Sequence, residues 1–182
     1  MASVLAVLIA IAVAQVGTAA PMRSLGASGP KQQSPEDTER SARQAIERLT
    51  PRQDAFMSRR MLEVPPKKLS AEIKSQAKAL GELVTAYSNV VQLGAPLQSV
   101  RALVRSGELY WHFADELLEY PSPVQGEDER IYRQQIEEQS QSIRDKAIDC
   151  WKAADRIALD HQLKVPELEA VRPRFAPPPA SP

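Results

Sequence analysis

The chain has 182 residues, with 23 Lys+Arg against 23 Asp+Glu, which suits one domain with tails. Zero net charge leaves no strong field to draw it to nucleic acid or to an anionic membrane, so nucleic acid is not an expected partner. The single cysteine, Cys150, excludes an internal disulfide framework.

Residues 2–20, ASVLAVLIAIAVAQVGTAA, carry no charge. Val4 to Ala14 has the length of a signal-peptide apolar core, and small-x-small sites follow at Ala12-Val13-Ala14, Gly17-Thr18-Ala19 and Thr18-Ala19-Ala20. No Lys or Arg precedes the run, which fits a start further upstream or an uncleaved anchor. As a helix the segment would span ~28 Å, close to the ~30 Å hydrocarbon core. Residues 1–20 are therefore expected to be a signal peptide exporting the domain to the periplasm or cell envelope. The alternative is an N-terminal membrane anchor, the one membrane contact expected. Arg23 and Lys31 would then place the domain on the cytoplasmic side.

Residues 21–33 mix Gly, Pro, Ser and Lys and read as a flexible linker. A helical domain is expected over 34–165. Ser34-Pro35-Glu36-Asp37 has the order of a helix start: cap, proline, carboxylates at the positive end. Thr50-Pro51-Arg52-Gln53 repeats that grammar, so 35–62 reads as two helices or one kinked at Pro51. Ser70 starts the next helix, where Ile73, Ala77, Leu80, Val84, Tyr87 and Val91 keep a helical period up to Gly94 and Pro96. A further helix is predicted from Leu97 to Glu119, with Leu103, Gly107, Tyr110, Trp111, Ala114, Leu117 and Leu118 on one face. Residues 120–126 form a loop. The last helix starts near Glu127, and its core face is Ile143, Ala147, Cys150, Trp151, Ala154, Ile157 and Ala158. From Pro166 to Pro182 the pattern dissolves into a Pro-rich tail, expected to be extended and disordered. No alternating strand pattern occurs, so the fold class is all-α.

Gly107-x-x-Tyr110 and Ala147-x-x-x-Trp151-x-x-Ala154 resemble the two halves of a tetratricopeptide repeat. In that family the first helix carries a small residue with an aromatic three on; the second carries Ala, an aromatic four on, and Ala three later. Residues 77 to about 165 are similar to the longer C-terminal repeats of certain bacterial envelope tetratricopeptide proteins, some linked to gliding motility. Leu103 stands where that family often has Trp, and Ser106 where Leu is usual. Gly107 to Ala147 spans 40 residues against about a dozen in an ordinary repeat, enough to lengthen each helix by ~20 Å. The resemblance implies antiparallel helical hairpins, tetratricopeptide-like with elongated helices, and a role in protein binding. Stacked repeats need about three units for stability, so the flanking helices or another chain must complete the core.

The densest cluster of reactive groups is SGELYWHFADELLEYP, residues 106–121. His112 has Glu108 four residues before it, Asp115 three after and Glu116 four after. Histidine with carboxylates can hold a metal. A di-iron bundle, however, needs Glu-x-x-His motifs, and none is present. Helical spacing sets Glu108, His112, Asp115, Glu116 and Glu119 opposite the apolar face, so they are expected to form a solvated acidic face. His161 continues the face of Ala147 and Ala154 near a helix end, where the dipole would favour it. Cys150, beside Trp151, reads as a small buried hydrophobe, and Tyr110, Trp111 and Trp151 read as core. The basic residues Arg59-Arg60 and Lys67-Lys68 lack interleaved aromatics.

Residues 21–78 carry 12 Lys+Arg against 7 Asp+Glu, whereas 79–182 carry 11 against 16. That asymmetry would permit head-to-tail self-association, though two solvated faces explain it as well. No catalytic, cofactor-binding or metal residue is expected. The function expected is a non-enzymatic helical scaffold that mediates protein–protein interaction in the bacterial cell envelope. The alternative is a ligand- or metal-binding helical bundle.

Overall fold

The structure, a computed structural model, describes residues 34–176. The expected signal or anchor (1–20), the linker (21–33) and the final residues 177–182 lie outside the described residues. Within them there are five α-helices and no strand, an all-α fold. No described helix is long and apolar enough to cross a membrane.

Helix α1 spans Pro35–Met57. The Asp37 amide donates to Ser34 Oγ at 3.1 Å, and Glu36 and Asp37 lie in the first turn. The helix runs through Pro51 instead of restarting there. Thr50 is not a cap: its hydroxyl donates back to the Ile46 carbonyl at 3.2 Å. Gln53 serves as a long-range acceptor, taking the Tyr87 hydroxyl proton at 2.5 Å. What the sequence presents as a second helix start is thus a polar attachment point inside one helix.

A 3-10 turn at Met61–Glu63 leads to helix α2, Pro66–Gln92. It begins a turn earlier than Ser70, since the fixed φ of Pro66 already suits a first turn. Ile73, Leu80, Val84 and Tyr87 are buried as the periodicity predicts, joined by Leu69, Leu83 and Val90. Gly94, at φ 76°, closes the helix in the left-handed region. Helix α3, Pro96–Glu119, follows at once. Residues 120–126 then connect it to helix α4, Glu127–Asp160.

Helix α3 is the centre of the fold. Val100, Ala102, Val104, Leu109, Phe113, Ala114 and Leu117 are all buried, and at 100° per residue they surround most of its circumference. The expected single apolar face was too narrow. Gly107, Tyr110, Ala114 and Leu117 are buried, while Leu103, Trp111 and Leu118 are only half-buried. Helices α3 and α4 pair in antiparallel fashion along their length. At the tightest point a Cβ on Gly107 would fall inside the Trp151 indole, against Nε1 and 2.7 Å from Cδ1 and Cε2. Glycine here is a packing requirement. The indole is fully buried, and its N–H donates to the Val104 carbonyl at 3.2 Å.

The chain does not turn into an extended tail at Pro166. Helix α5, Pro166–Val171, and a 3-10 turn at Arg172–Arg174 continue the fold. Val165, Leu168 and Val171 step at three-residue intervals and are all buried. Arg172 ties the segment down, pairing with Asp155 at 2.5 Å and Glu169 at 2.8 Å. Burial of these three side chains offsets the chain entropy that proline-rich composition suggests would win.

Candidate functional site

One strip of α3 escapes complete burial. Arg101, Arg105, Glu108, His112, Asp115 and Glu119 follow one another by four, three, four, three and four residues, so they share a single stripe of the helix. Helix α1 borders one side, through Thr50, Gln53, Asp54 and Phe56. The C-terminal end of the fold borders the other, through Glu167 and Arg174. The result is a charged groove whose floor is the central helix.

Most of its floor is fixed by cross-helix bonds. Arg101 Nε lies 3.3 Å from Glu167. Arg105 Nη1 donates to Thr50 Oγ1 at 2.9 Å and to Gln53 Oε1 at 3.4 Å. Asp115 accepts from Arg144 of α4 at 2.6 Å, and Glu119 from Arg60 at 2.9 Å. Glu108 makes no such bond among the described residues. Burial pushes its carboxyl above the ordinary carboxylate range, an effect that Arg105 and Arg174 oppose. Thr50, Gln53, Asp54, Arg101, Val104, Arg105, Glu108 and Glu167 enclose a pocket of about 190 Å³ here.

The expected solvated acidic face is therefore corrected on two residues. Glu116 is only 3 % exposed. It turns toward the 3-10 turn, accepting the Met61 amide proton at 2.6 Å and pairing with Arg60 Nε at 2.9 Å. A buried amide and a guanidinium supply the bonds that water would otherwise make. His112 is half-buried: its ring meets Phe56 edge to face, centroids 5.9 Å apart, and its Nε2 is buried without a hydrogen-bond partner. Among the described residues no three His, Cys, Asp or Glu are grouped to hold a metal ion.

At the groove's edge, one turn beyond Glu108, lies a second cluster. Trp111 and Trp151 stack with centroids 5.4 Å apart, and Phe175 lies 6.3 Å from Trp151. Arg144 sits 4.9 Å above the Trp111 ring. Arg174, on the chain's last described turn, is 5.2 Å from Trp111 and 5.8 Å from Trp151. These are cation–π distances.

The remaining sequence candidates lie elsewhere. His161 is exposed just after α4, where its amide closes on Ile157. Cys150 packs half-buried against the core, and burial pushes its thiol up to about 11. Arg60 is committed to Glu116 and Glu119, and Arg59 lies 3.9 Å from Glu72. Sequence reasoning missed Thr50, Gln53, Arg101, Arg105, Glu167 and Arg174. The four–three spacing of the α3 charges was readable, but nothing local to residues 50–53 or 167–174 says that they meet it.

No family model matches the chain, and no curated protein or solved structure matches it either.

Proposed function

We propose that this chain is a non-enzymatic helical scaffold that holds a protein partner in the groove over α3. The observation that carries the reading is the groove itself: a polar strip of the most deeply packed helix, held in fixed geometry by Arg101, Arg105 and Asp115 and left open above. Pre-formed floors of this kind lower the ordering cost of binding, and a groove between packed helices is a recurrent mode of peptide capture. The half-buried Trp111 with its two arginines adds the residue types that dominate interface energetics. The likeness of Gly107-x-x-Tyr110 and Ala147-x-x-x-Trp151-x-x-Ala154 to a tetratricopeptide repeat supports the same reading. So does the close fit of Gly107 and Trp151 across the α3–α4 hairpin.

The proposal includes export to the cell envelope, supported by the uncharged run at residues 2–20. Mass spectrometry of the mature N-terminus tests it, cleavage near Ala14 or Ala19 being expected and an intact Met1 counting against a cleaved signal. For the groove, a photo-crosslinking residue is placed at Glu167, on the groove wall, and separately at Lys74, an exposed position on α2. A discrete adduct from position 167 alone, with a protein that then binds the purified chain, is the expected result. The same adducts from both positions would remove the groove as the binding site.

A further inference from the structure

We propose that the groove recognises a basic peptide segment, seating one arginine side chain in the pocket between α1, α3 and α5 against Glu108 and Asp54. This rests on the groove reading above and names the chemistry of its occupant. Three observations lead there.

The first is the balance of satisfied and unsatisfied charge. Arg105 is hydrogen-bonded to Thr50 and Gln53, and Arg101 pairs with Glu167 at 3.3 Å, although its buried Nε makes no hydrogen bond. An incoming anion would have to displace those partners. Two of its carboxylates, Glu108 and Asp54, have no hydrogen bond or ion pair within the described residues. With Asp54 exposed and Glu108 half-buried, the lining sets three carboxylates, those two and Glu167, against two guanidiniums, so its charge favours a cation over an anion.

The second is size. Small-molecule sites run about 300–1,000 Å³. A pocket of about 190 Å³ instead matches one long side chain.

The third is that the fold already places an arginine at this mouth. Arg174 lies over Trp111 and Trp151 and within electrostatic range of Glu108. It shows a planar cation held beside the pocket, over indole and close enough to act on the Glu108 carboxylate. A partner arginine reaching past that rim meets the Glu108 carboxylate where water is partly excluded, so the pair is screened less than a surface pair.

The test is fluorescence polarisation with the full chain and two labelled probes, Gly-Ser-Arg-Pro-Arg-Ser-Gly amide and its counterpart with both arginines replaced by glutamate. The arginine probe is expected to bind and to weaken as salt is raised, and the glutamate probe to stay free. Glu108→Gln keeps the side-chain shape and relieves a desolvated charge, so it should melt no lower than the native chain while weakening the arginine probe tenfold or more, the scale of a lost charged hydrogen bond. Arg174→Ala removes the competing cation and should tighten binding a few-fold. No binding of the arginine probe, equal binding of the two probes, or an unchanged affinity in Glu108→Gln overturns the inference. Equal or weaker binding in Arg174→Ala overturns the placement of the peptide arginine at this mouth. A partner crosslinked at position 167 whose capture ignores Glu108→Gln would remove the basic peptide and leave the groove reading standing.

Discussion

Gly107→Ala adds one methyl group at the tightest point between α3 and α4. In an exposed helix that change would stabilise by roughly 1 kcal/mol, through helix propensity. Here the new carbon would fall within the Trp151 indole, 2.7 Å from Cδ1 and Cε2. The indole has little room to yield. It is fully buried, hydrogen-bonded to the Val104 carbonyl, and flanked by Trp111 and Phe175. Overpacking of this kind costs about 1–3 kcal/mol, and sometimes more. Loss of the Trp151–Val104 bond adds about 1 kcal/mol. The expected net destabilisation is about 1–3 kcal/mol, a fall in Tm of several degrees for a domain of this size. Urea unfolding followed by tryptophan fluorescence measures it. Gly81→Ala is the control, because Gly81 lies mid-helix in α2 with nothing within 4 Å of a new Cβ. It should gain about 0.5–1 kcal/mol. If Gly107→Ala proves as stable as Gly81→Ala, the claimed contact between α3 and α4 is wrong.

Three further outcomes are expected. Glu116→Ala strips the Met61 amide and Arg60 of a buried acceptor and should cost about 1–3 kcal/mol in a urea titration, whereas Glu119→Ala, at an exposed pair, should cost under about 1 kcal/mol. Leu168→Ala, at a fully buried site in α5, should cost about 2–5 kcal/mol and speed tryptic cleavage after Arg172 or Arg174; cleavage rates like those of the native chain would contradict the docked C-terminal segment. Stability should also fall as pH rises from about 9 to about 11. The Cys150 thiol ordinarily titrates near 9.0, but burial holds it to about 11 in the fold, so over that window the unfolded chain binds fewer protons than the folded one and deprotonation favours unfolding. Cys150→Ala should flatten that part of the pH profile, and an unchanged slope would count against the buried thiol.

The helices were readable from sequence because each rests on local rules. Ser34-Pro35, Gly94-Ala95-Pro96 and the six-membered ladder of α2 mark their own boundaries. The groove was not readable in the same way. Thr50 and Gln53 carry the signature of a helix cap, and the competing use of the same side chains becomes visible only when Arg105 and Tyr87 arrive from more than thirty residues away. Glu116 illustrates the other limit. Its place on the α3 helical wheel differs from that of Asp115 by 100°, and that rotation decides whether a carboxylate meets solvent or the amide of Met61. Pro166–Arg174 was hidden by composition, since three prolines at 177–179 colour the whole stretch while Leu168 and Val171 quietly complete a core.

Helix α1 fully buries only Ala42, Ile46 and Phe56 along its 23 residues, with Ala45, Leu49 and Met57 half-buried against the core and polar ties from Thr50 and Gln53 to Arg105 of α3. Among the four long helices it is therefore the one that detaches at the lowest free-energy cost, and its amides should exchange with solvent well before those of α3. Because the same helix forms one wall of the groove, opening of the fold and opening of the site are a single equilibrium. Any occupant that bridges α1 and α3 will raise the protection of α1 by its own binding free energy. Hydrogen exchange along α1 thus becomes a titration curve for a partner that need not be labelled, or even known in advance.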